Sequence, residues 1–206
     1  NNFYFNVFEK YSEAELIEIT EYAKSIHFQF ASYMSASKFY KDYALKTNDK
    51  TKFLEDYNQH VAIVALYLAN GNVKQAKQFI SAMVEQRYQP ATPTFLNAGS
   101  ARRGELVSCF LLEVDDSLNS INFIDSTAKQ LSKIGGGVAI NLSKLRARGE
   151  AIKGIKGVAK GVLPVAKALE GGFSYADQLG QRPGAGAVYL NIFHYDVEEF
   201  LDTKKV

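Results

Sequence analysis

The sequence has few cysteines and no long apolar run, and both absences exclude whole classes of protein. One cysteine among 206 residues, Cys109, excludes an internal disulfide framework and most thiolate metal sites. A single free cysteine is typical of proteins of the reducing cytoplasm. No apolar segment approaches the roughly 20 residues of a membrane-spanning helix. The first residues show no basic segment of a signal peptide, so we expect a cytoplasmic protein without a membrane partner.

Clustered positive charge is also missing, although the chain is slightly basic. The formal net charge is +2, and the lysine and arginine residues are dispersed, so we expect no nucleic-acid partner. Apolar residues make up 47% and charged residues 22% of the chain, which allows an ordinary globular core. The glycine run at residues 135–137 lacks the GxGxxG spacing and does not indicate a Rossmann nucleotide site.

Residues 1–88 predict a helical domain. Ser12 and Glu15 have the spacing of a capping box, in which each side chain accepts a hydrogen bond from the other residue's backbone N–H. The Asn-Gly-Asn segment at 70–72 supplies a helix stop and a new cap. Apolar residues recur at helical period between these signals, and we interpret them as core. His27 and His60 show no partner carboxylate or cysteine pattern and are interpreted as ordinary helix residues.

Residues 89–206 predict an α/β domain. Pro90 and Pro93 end the helical part because proline cannot continue a helix. A nearly continuous apolar run then predicts a strand that is buried on both faces. The alternation of strands and helices that follows is typical of a fold with parallel neighbouring strands. Strands are predicted over 106–114, 137–142 and 187–191. Helices are predicted over about 117–134 and 164–178, and Pro164 lies in the first turn of the second helix. A short final helix is predicted to begin with Asp196 as its cap.

Taken one by one, the residues that could carry chemistry give weak signals. A free cysteine among apolar neighbours, such as Cys109, is more often a small buried hydrophobe than a reactive thiol. Thr92 before a proline is an ordinary turn residue, and Ser108 is an ordinary strand residue. The basic segment 144–157 and the glycine-rich segment 180–186 could be a solvated loop and a turn.

The segment 91–142 changes this interpretation because its motifs form one long, ordered match. It contains a turn-rich stretch, the Ser-Cys-Phe-Leu strand of Cys109, an Asp-Asp-Ser cap, a helix, three glycines and a second strand. In this order the chain resembles the large, catalytic subunit of class I ribonucleotide reductase, most closely the class Ib type of bacteria and their phages. The resemblance covers nearly the whole chain. It implies an α/β protein with a helical N-terminal domain, residues 1–88, followed by the first part of a ten-stranded α/β barrel, residues 89–206, which is incomplete in this chain.

The resemblance implies an enzyme that reduces ribonucleoside diphosphates to 2′-deoxyribonucleoside diphosphates for DNA synthesis. Cys109 would be one of two thiols that leave as a redox-active disulfide and so act as a two-electron reservoir. Hydroxyl and backbone N–H groups suit phosphate oxygens, and Ala91, Thr92, Ser108 and Gly137 would contact the substrate. The second thiol and the radical-forming cysteine do not occur in this chain, so we expect this piece alone to be inactive.

The resemblance also implies an allosteric specificity site, where a dNTP or ATP, with Mg²⁺, selects the base that is reduced. Asp116, Ser117 and Leu118 match the element that holds the sugar and base of the effector. Cations of a first loop would meet the triphosphate, and the glycines of a second loop would allow it two arrangements. The expected loop residues are Lys144, Arg146 and Ile152 in the first loop, and Gln178, Gln181 and Arg182 in or beside the second.

The resemblance also implies protein partners. Helices 117–134 and 164–178 would pair with their copies in a homodimer of large subunits. A small (beta) subunit with a two-metal centre would supply the radical, and a glutaredoxin- or thioredoxin-like dithiol would reduce the cysteines. This chain itself would bind no metal or resident cofactor. The chain begins without Met and ends without a closing element, so we expect a longer protein.

Three alternatives to the interpretation as part of an ordinary, single-chain large subunit stay open. One is a split-gene half that is active only with a second chain. Another is a non-catalytic nucleotide-binding module that keeps the effector site as a regulator. A cysteine hydrolase is less well supported, because no motif places a carboxylate to orient His194.

Overall fold

The computed structural model describes residues 6–101, 104–176 and 184–204. The chain forms two compact units, Asn1–Leu106 and Val107–Val206. Among the described residues, no helix combines the length and the apolarity that crossing a membrane requires. The first unit contains a 3-10 turn Asn6–Lys10, α1 Glu13–Ser25, α2 Tyr33–Lys38, a π turn Phe39–Tyr43, α3 Tyr57–Ala69, α4 Val73–Val84 and α5 Thr92–Asn97. The second contains β1 Cys109–Glu113, α6 Leu118–Lys133, β2 Gly137–Asn141, α7 Leu163–Phe173, β3 Gly186–Tyr189 and α8 Val197–Asp202.

The helix ends of the first unit follow the predicted capping signals. Ser12 precedes α1, where the backbone N–H of Glu15 donates to Ser12 Oγ at 3.3 Å and that of Ser12 donates to Glu15 Oε2 at 2.8 Å. Asn70 ends α3 in the left-handed conformation with φ 50°. Asn72 then begins α4, because its Oδ1 accepts the backbone N–H of Gln75 at 3.0 Å. The predicted capping box and the predicted stop and restart are confirmed.

Helices α1, α3 and α4 pack around the core of the first unit, whose fully buried side chains include Ile19, Val61, Val64, Ile80 and Met83. Their apolar stripes face this core, as the sequence predicts. An aromatic cluster extends it, in which Phe28 stacks on Tyr57 with ring centroids 3.8 Å apart.

His60 is more than an ordinary helix residue. It is buried on α3, with Nδ1 2.6 Å from Glu55 Oε1 and Nε2 2.7 Å from the carbonyl oxygen of Phe95. The expectation that it has no partner carboxylate is therefore wrong. Glu55 lies just before the N-cap of α3, and it also accepts the backbone N–H of Leu45 at 2.7 Å. These contacts connect three separate segments of the first unit.

The second unit is built on a three-stranded parallel sheet in the order β1-β2-β3. Cys109 of β1 is paired with Gly137 of β2, and Val138 of β2 with Gly186 of β3. Val138 and Ile140 point into a core that also contains Ile124 of α6 and Leu169 of α7. The predicted α/β order with parallel neighbours is confirmed.

Four local predictions need correction. The strand β1 is not buried on both faces, since Cys109 is exposed and Leu111 is 79% exposed. β1 is an edge strand here, and an apolar run does not tell which face a helix covers.

The other three corrections concern helix ends. Pro93 lies in the first turn of α5, a position that proline tolerates, so it begins a helix there. α7 ends at Phe173, close to the poor helix formers Gly171 and Gly172. Asp196 occupies the N-cap position of α8 but makes no capping hydrogen bond with its side chain.

Candidate functional site

A cavity of about 440 Å³ lies in the second unit beyond the carboxyl ends of the parallel strands. Its lining comes from Asp116 after β1, from residues 143–147 and Glu150 after β2, and from Asn191 and residues 193–195 after β3. Side chains that follow parallel strands meet at one edge of the sheet, which is where open α/β sheets bind ligands. The polar and charged lining residues are Asp116, Ser143, Lys144, Arg146, Glu150, Asn191, His194 and Tyr195.

Asp116 and Arg146 form the best-defined contact of this cavity. Arg146 Nε donates to Asp116 Oδ2 at 2.7 Å, and the backbone N–H of Arg146 donates to Asp116 Oδ1 at 3.2 Å. Arg146 Nη1 also donates to the carbonyl oxygen of Ala151 at 2.8 Å. The guanidinium group is planar and always charged, so these bonds fix both its position and its orientation.

Lys144 lies beside this pair and has acidic partners of its own. Its ammonium group is 2.9 Å from Glu113 Oε2 and 3.2 Å from Asp115 Oδ1. The hydrogen bonds to Glu113 and then to Asp115 raise the pKa of Lys144, so the group stays cationic. All three side chains are mostly exposed, so the contacts add little stability.

Ser117 and Leu118 continue from Asp116 into α6. Ser117 is the N-cap residue, and its Oγ accepts the backbone N–H of Ser120 at 3.1 Å. Leu118 begins the helix and is exposed. The structure therefore brings Asp116, Lys144 and Arg146 to one cavity, with Ser117 and Leu118 directly following the first of them in the chain.

Ile152 lies at a hairpin within the same loop. Ile152 and Ile155 exchange two backbone hydrogen bonds of 3.0 Å, and the two residues between them, Lys153 and Gly154, have φ of 51° and 80°. Positive φ at both central residues is the geometry of a tight two-residue turn. Ile152 does not line the cavity. The remaining expected effector residues, Gln178, Gln181 and Arg182, lie outside the described residues.

The expected substrate residues of the second unit surround the start of β1. Cys109 is its first residue, and its thiol is exposed. The backbone N–H of Gly137 donates to the carbonyl oxygen of Ser108 at 2.9 Å, which aligns the starts of β1 and β2. Gly136 permits a close approach, since a Cβ built there would lie 2.1 Å from the ring of Phe110.

The other two expected substrate residues belong to the first unit. Thr92 begins α5, and its Oγ1 lies 3.2 Å from the hydroxyl of Tyr43. Ala91 is the N-cap residue, and its carbonyl oxygen accepts the backbone N–H of Phe95 at 2.9 Å. Ala91 is thus held by a helix-initiating contact, and Thr92 by a side-chain contact with Tyr43.

Sequence reasoning assigned no site role to Asn191, His194 or Asp196, although it expected Asp196 to cap the final helix. His194 lines the cavity and donates from Nε2 to the carbonyl oxygen of Leu145 at 2.7 Å. Asn191 Oδ1 accepts the backbone N–H of Phe193 at 2.9 Å. The signal that could have indicated them is position, because Asn191 ends the third predicted strand and His194 and Asp196 follow within five residues. Among the described residues, no group of three or more His, Cys, Asp or Glu side chains is placed to hold a metal ion.

Comparison with known proteins identifies the family of both units. Residues 107–206 match the family model described as ribonucleotide reductase, barrel domain, and residues 29–103 match the one described as ribonucleotide reductase, all-alpha domain. The chain belongs to the ribonucleotide reductase large-subunit family. The predicted family and fold class are thus confirmed, and the three parallel strands belong to the beginning of the barrel domain.

Individual relatives agree with the family models. The chain is 59% identical over 196 residues to a ribonucleoside-diphosphate reductase subunit alpha of Bacillus subtilis, an alignment that covers 95% of this chain and 28% of the relative. It is 49% identical over 200 residues to the subunit alpha of Mycoplasma pneumoniae, covering 97% of this chain and 28% of that protein. A large subunit of Vaccinia virus is 30% identical over 203 residues, with 97% and 25% covered. The chain therefore spans about a quarter of the length of these curated relatives.

Proposed function

We propose that this chain is the N-terminal part of a class Ib-like ribonucleoside-diphosphate reductase large subunit. The observation that carries the proposal is the 59% identity over 95% of the chain to a protein named ribonucleoside-diphosphate reductase subunit alpha. The complete subunit would convert ribonucleoside diphosphates into 2′-deoxyribonucleoside diphosphates for DNA synthesis. The chain spans 28% of that relative, so turnover would need the remainder of the subunit. The expected boundary lies at residue 88, but the compact units divide after Leu106, so we assign Asn1–Leu106 to the helical domain and Val107–Val206 to the first part of the catalytic barrel.

Cys109 would supply one of the two reducing thiols. In the net reaction two thiols give up two electrons and two protons and become a disulfide. The ribose 2′-hydroxyl leaves as water, and hydrogen replaces it at C2′. The exposure of Cys109 supports this role, because a redox thiol has to reach both a substrate and an external dithiol. The second thiol would come from the rest of the subunit, and a glutaredoxin- or thioredoxin-like protein would restore both.

The substrate diphosphate would lie near the start of β1. Thr92 and Ser108 offer hydroxyl groups, and Ala91 and Gly137 offer backbone groups at positions where little side chain intervenes. The close pairing of Ser108 with Gly137 supports this assignment, because it places both beside Cys109 at the ends of two adjacent strands.

The cavity beyond the strand ends would hold the specificity effector, a dNTP or ATP with Mg²⁺. Asp116, Ser117 and Leu118 would contact its sugar and base, and Lys144 and Arg146 its triphosphate. Both cations are paired with carboxylates, so a triphosphate would compete with these carboxylates for the same hydrogen bonds. We further assign to this site the loop residues Ile152, Gln178, Gln181 and Arg182.

The proposed partners follow from the family. A small subunit with a two-metal centre would supply the radical, and two large subunits would form a homodimer through α6, α7 and their copies. We place the protein in the cytoplasm, where reducing dithiols are available.

The proposal is tested with Cys109→Ser in the complete large subunit, assayed with the small subunit. With the natural dithiol reductant, deoxynucleotide formation should fall to background, while the melting temperature stays close to that of the wild type because the side chain is exposed. Full activity of the variant would refute the role of Cys109. A wild-type subunit that binds dTTP but never reduces a ribonucleotide would instead support a regulatory module.

A further inference from the structure

We infer that His194 and Asp196 position the first effector loop, residues 144–157, by holding it on both sides of Arg146; this rests on the proposed effector site. His194 Nε2 donates to the carbonyl oxygen of Leu145 at 2.7 Å. Asp196 accepts the backbone N–H of Arg148 at 2.9 Å through Oδ1 and at 3.2 Å through Oδ2. The loop is thus fixed at residues 145 and 148, and Arg146 lies between the two attachment points.

Asp196 is placed for this task rather than for capping α8. It is only 6% exposed, and a buried carboxylate is costly unless hydrogen bonds compensate it. Besides Arg148, it accepts the backbone N–H of Val162, the N-cap residue of α7, at 3.0 Å. One side chain therefore connects the effector loop to the start of α7 and to the start of α8.

Gly161 shows that the approach of Asp196 to this backbone is close. A Cβ built on Gly161 would lie 2.4 Å from Asp196 Oδ2, and the residue has a φ of +77°. Both features favour glycine at this position. The chain around Asp196 is thus shaped to admit a carboxylate, although no charged side chain pairs with it in the described part of the chain.

The ring of His194 is held at both of its nitrogen atoms. The backbone N–H of Asp196 donates to Nδ1 at 3.1 Å, and Nε2 is left to donate to Leu145. This arrangement fits the neutral tautomer with the proton on Nε2. His194 and Asp196 consequently act together, since the first is oriented by the backbone of the second.

The consequence is a fixed Arg146. With its neighbours held, the guanidinium reaches Asp116 at 2.7 Å and the carbonyl oxygen of Ala151 at 2.8 Å. Removing the attachment at Leu145 would leave every charge of the loop in place but allow the guanidinium to move. We therefore expect weaker effector binding without a change in the chemical step.

The test uses the complete large subunit with its small subunit, and dTTP as the probe. His194→Leu should raise the Kd for dTTP about tenfold, the equivalent of one lost hydrogen bond in a polar site, while kcat at saturating dTTP changes less than about twofold. His194→Gln should bind dTTP nearly as the wild type does, because its amide nitrogen can take the place of Nε2. His194→Asn, whose shorter side chain does not reach Leu145, should resemble His194→Leu. The matched control is Glu198→Gln, an exposed carboxylate of α8.

The outcomes separate this inference from the proposed function. If His194→Leu, His194→Asn and His194→Gln bind dTTP with the affinity of the wild type, the positioning role is overturned and the effector site is left intact. A loss of kcat parallel to the loss of affinity, with a lowered melting temperature, would overturn it in favour of a purely structural role. If His194→Leu does not fold, the dTTP affinities of His194→Gln and His194→Asn decide whether His194 has the positioning role. A wild-type subunit that does not bind dTTP would refute the effector site itself.

Discussion

Arg146 Nε lies 2.7 Å from Asp116 Oδ2, and this contact joins two segments that are 30 residues apart in the sequence. It connects the loop after β2 to the turn after β1 at the edge of the cavity. The two side chains are 32% and 34% exposed, and ion pairs this accessible contribute at most about 1 kcal/mol to stability. The pair therefore orients the guanidinium more than it stabilises the fold.

Arg146→Ala should lower nucleotide affinity without unfolding the protein. We expect dTTP binding by the complete subunit to weaken at least tenfold, because a charge-assisted contact to phosphate is lost, and stability to change by less than about 1 kcal/mol. Calorimetric titration with dTTP and thermal melting measure the two effects. Lys160→Ala removes an exposed positive charge elsewhere in the same unit and is the control. Equal loss of affinity in both variants would mean that only net charge matters.

The close contact between β1 and β2 predicts a steric effect at Gly136. A Cβ there would lie 2.1 Å from the ring of Phe110, so Gly136→Ala should destabilise the protein by about 1–3 kcal/mol, as overpacking does. Gly171→Ala is the matched control, because no atom lies within 4 Å of its built Cβ and alanine favours the helix, by up to about 1 kcal/mol. Urea denaturation measures both changes.

The steric cause can be separated from a backbone effect by a double-mutant cycle. With Phe110→Ala the ring is gone, and the further change Gly136→Ala should then cost little. The same cost in both backgrounds would show that the ring of Phe110 is not what Gly136 accommodates.

Some sequence signals of short range predicted the structure, whereas those at Pro93 and Asp196 did not. The capping box of Ser12 and Glu15 and the stop at Asn70 depend on residues within one helical turn, and both form as expected. Long-range contacts could not be predicted in the same way. His60 binds the carbonyl of Phe95, 35 residues away, and Asp196 binds the amide of Val162, 34 residues away. No local pattern encodes such a partner.

In the candidate site, too, some residues could be predicted from the sequence and others could not. The resemblance indicated Asp116, Lys144 and Arg146, and the fold brings them together because each follows the end of a parallel strand. His194 and Asp196 carry no motif, since their roles depend on backbone groups of another loop. A backbone carbonyl or N–H looks the same in every residue, so a sequence cannot show which one a side chain will bind.

The buried contact between His60 and Glu55 predicts a large stability effect in the first unit. His60→Leu should destabilise the protein by about 3 kcal/mol, because it leaves the buried Glu55 carboxylate without this partner. Arg87→Ala breaks an exposed pair with Glu85, whose side chains are 60% and 46% exposed, and should cost less than about 1 kcal/mol. Urea denaturation of both variants measures the two changes in the free energy of unfolding. If His60→Leu lowers the free energy of unfolding no more than Arg87→Ala does, His60 acts only as a packing residue.

The capping box of α1 predicts a defined pH dependence. The backbone N–H and then the side chain of Ser12 lower the pKa of Glu15 in the folded protein. Because the folded pKa lies below the unfolded one, the stabilisation is present above the unfolded value of about 4.3 and is lost as the pH falls through the folded pKa. Wild type should therefore be more stable than Glu15→Gln at about pH 7, and this advantage should shrink by about pH 3.

Urea denaturation at both pH values measures this difference. In a Ser12→Ala background the hydroxyl bond to Glu15 is lost, so the pH-dependent part of the advantage should become smaller while the backbone contribution remains. An advantage of the same size at both pH values, or one that grows in acid, would show that the carboxylate charge of Glu15 does not contribute to the cap. The glutamine amide can still accept the Ser12 N–H, so the comparison isolates charge from hydrogen-bond geometry.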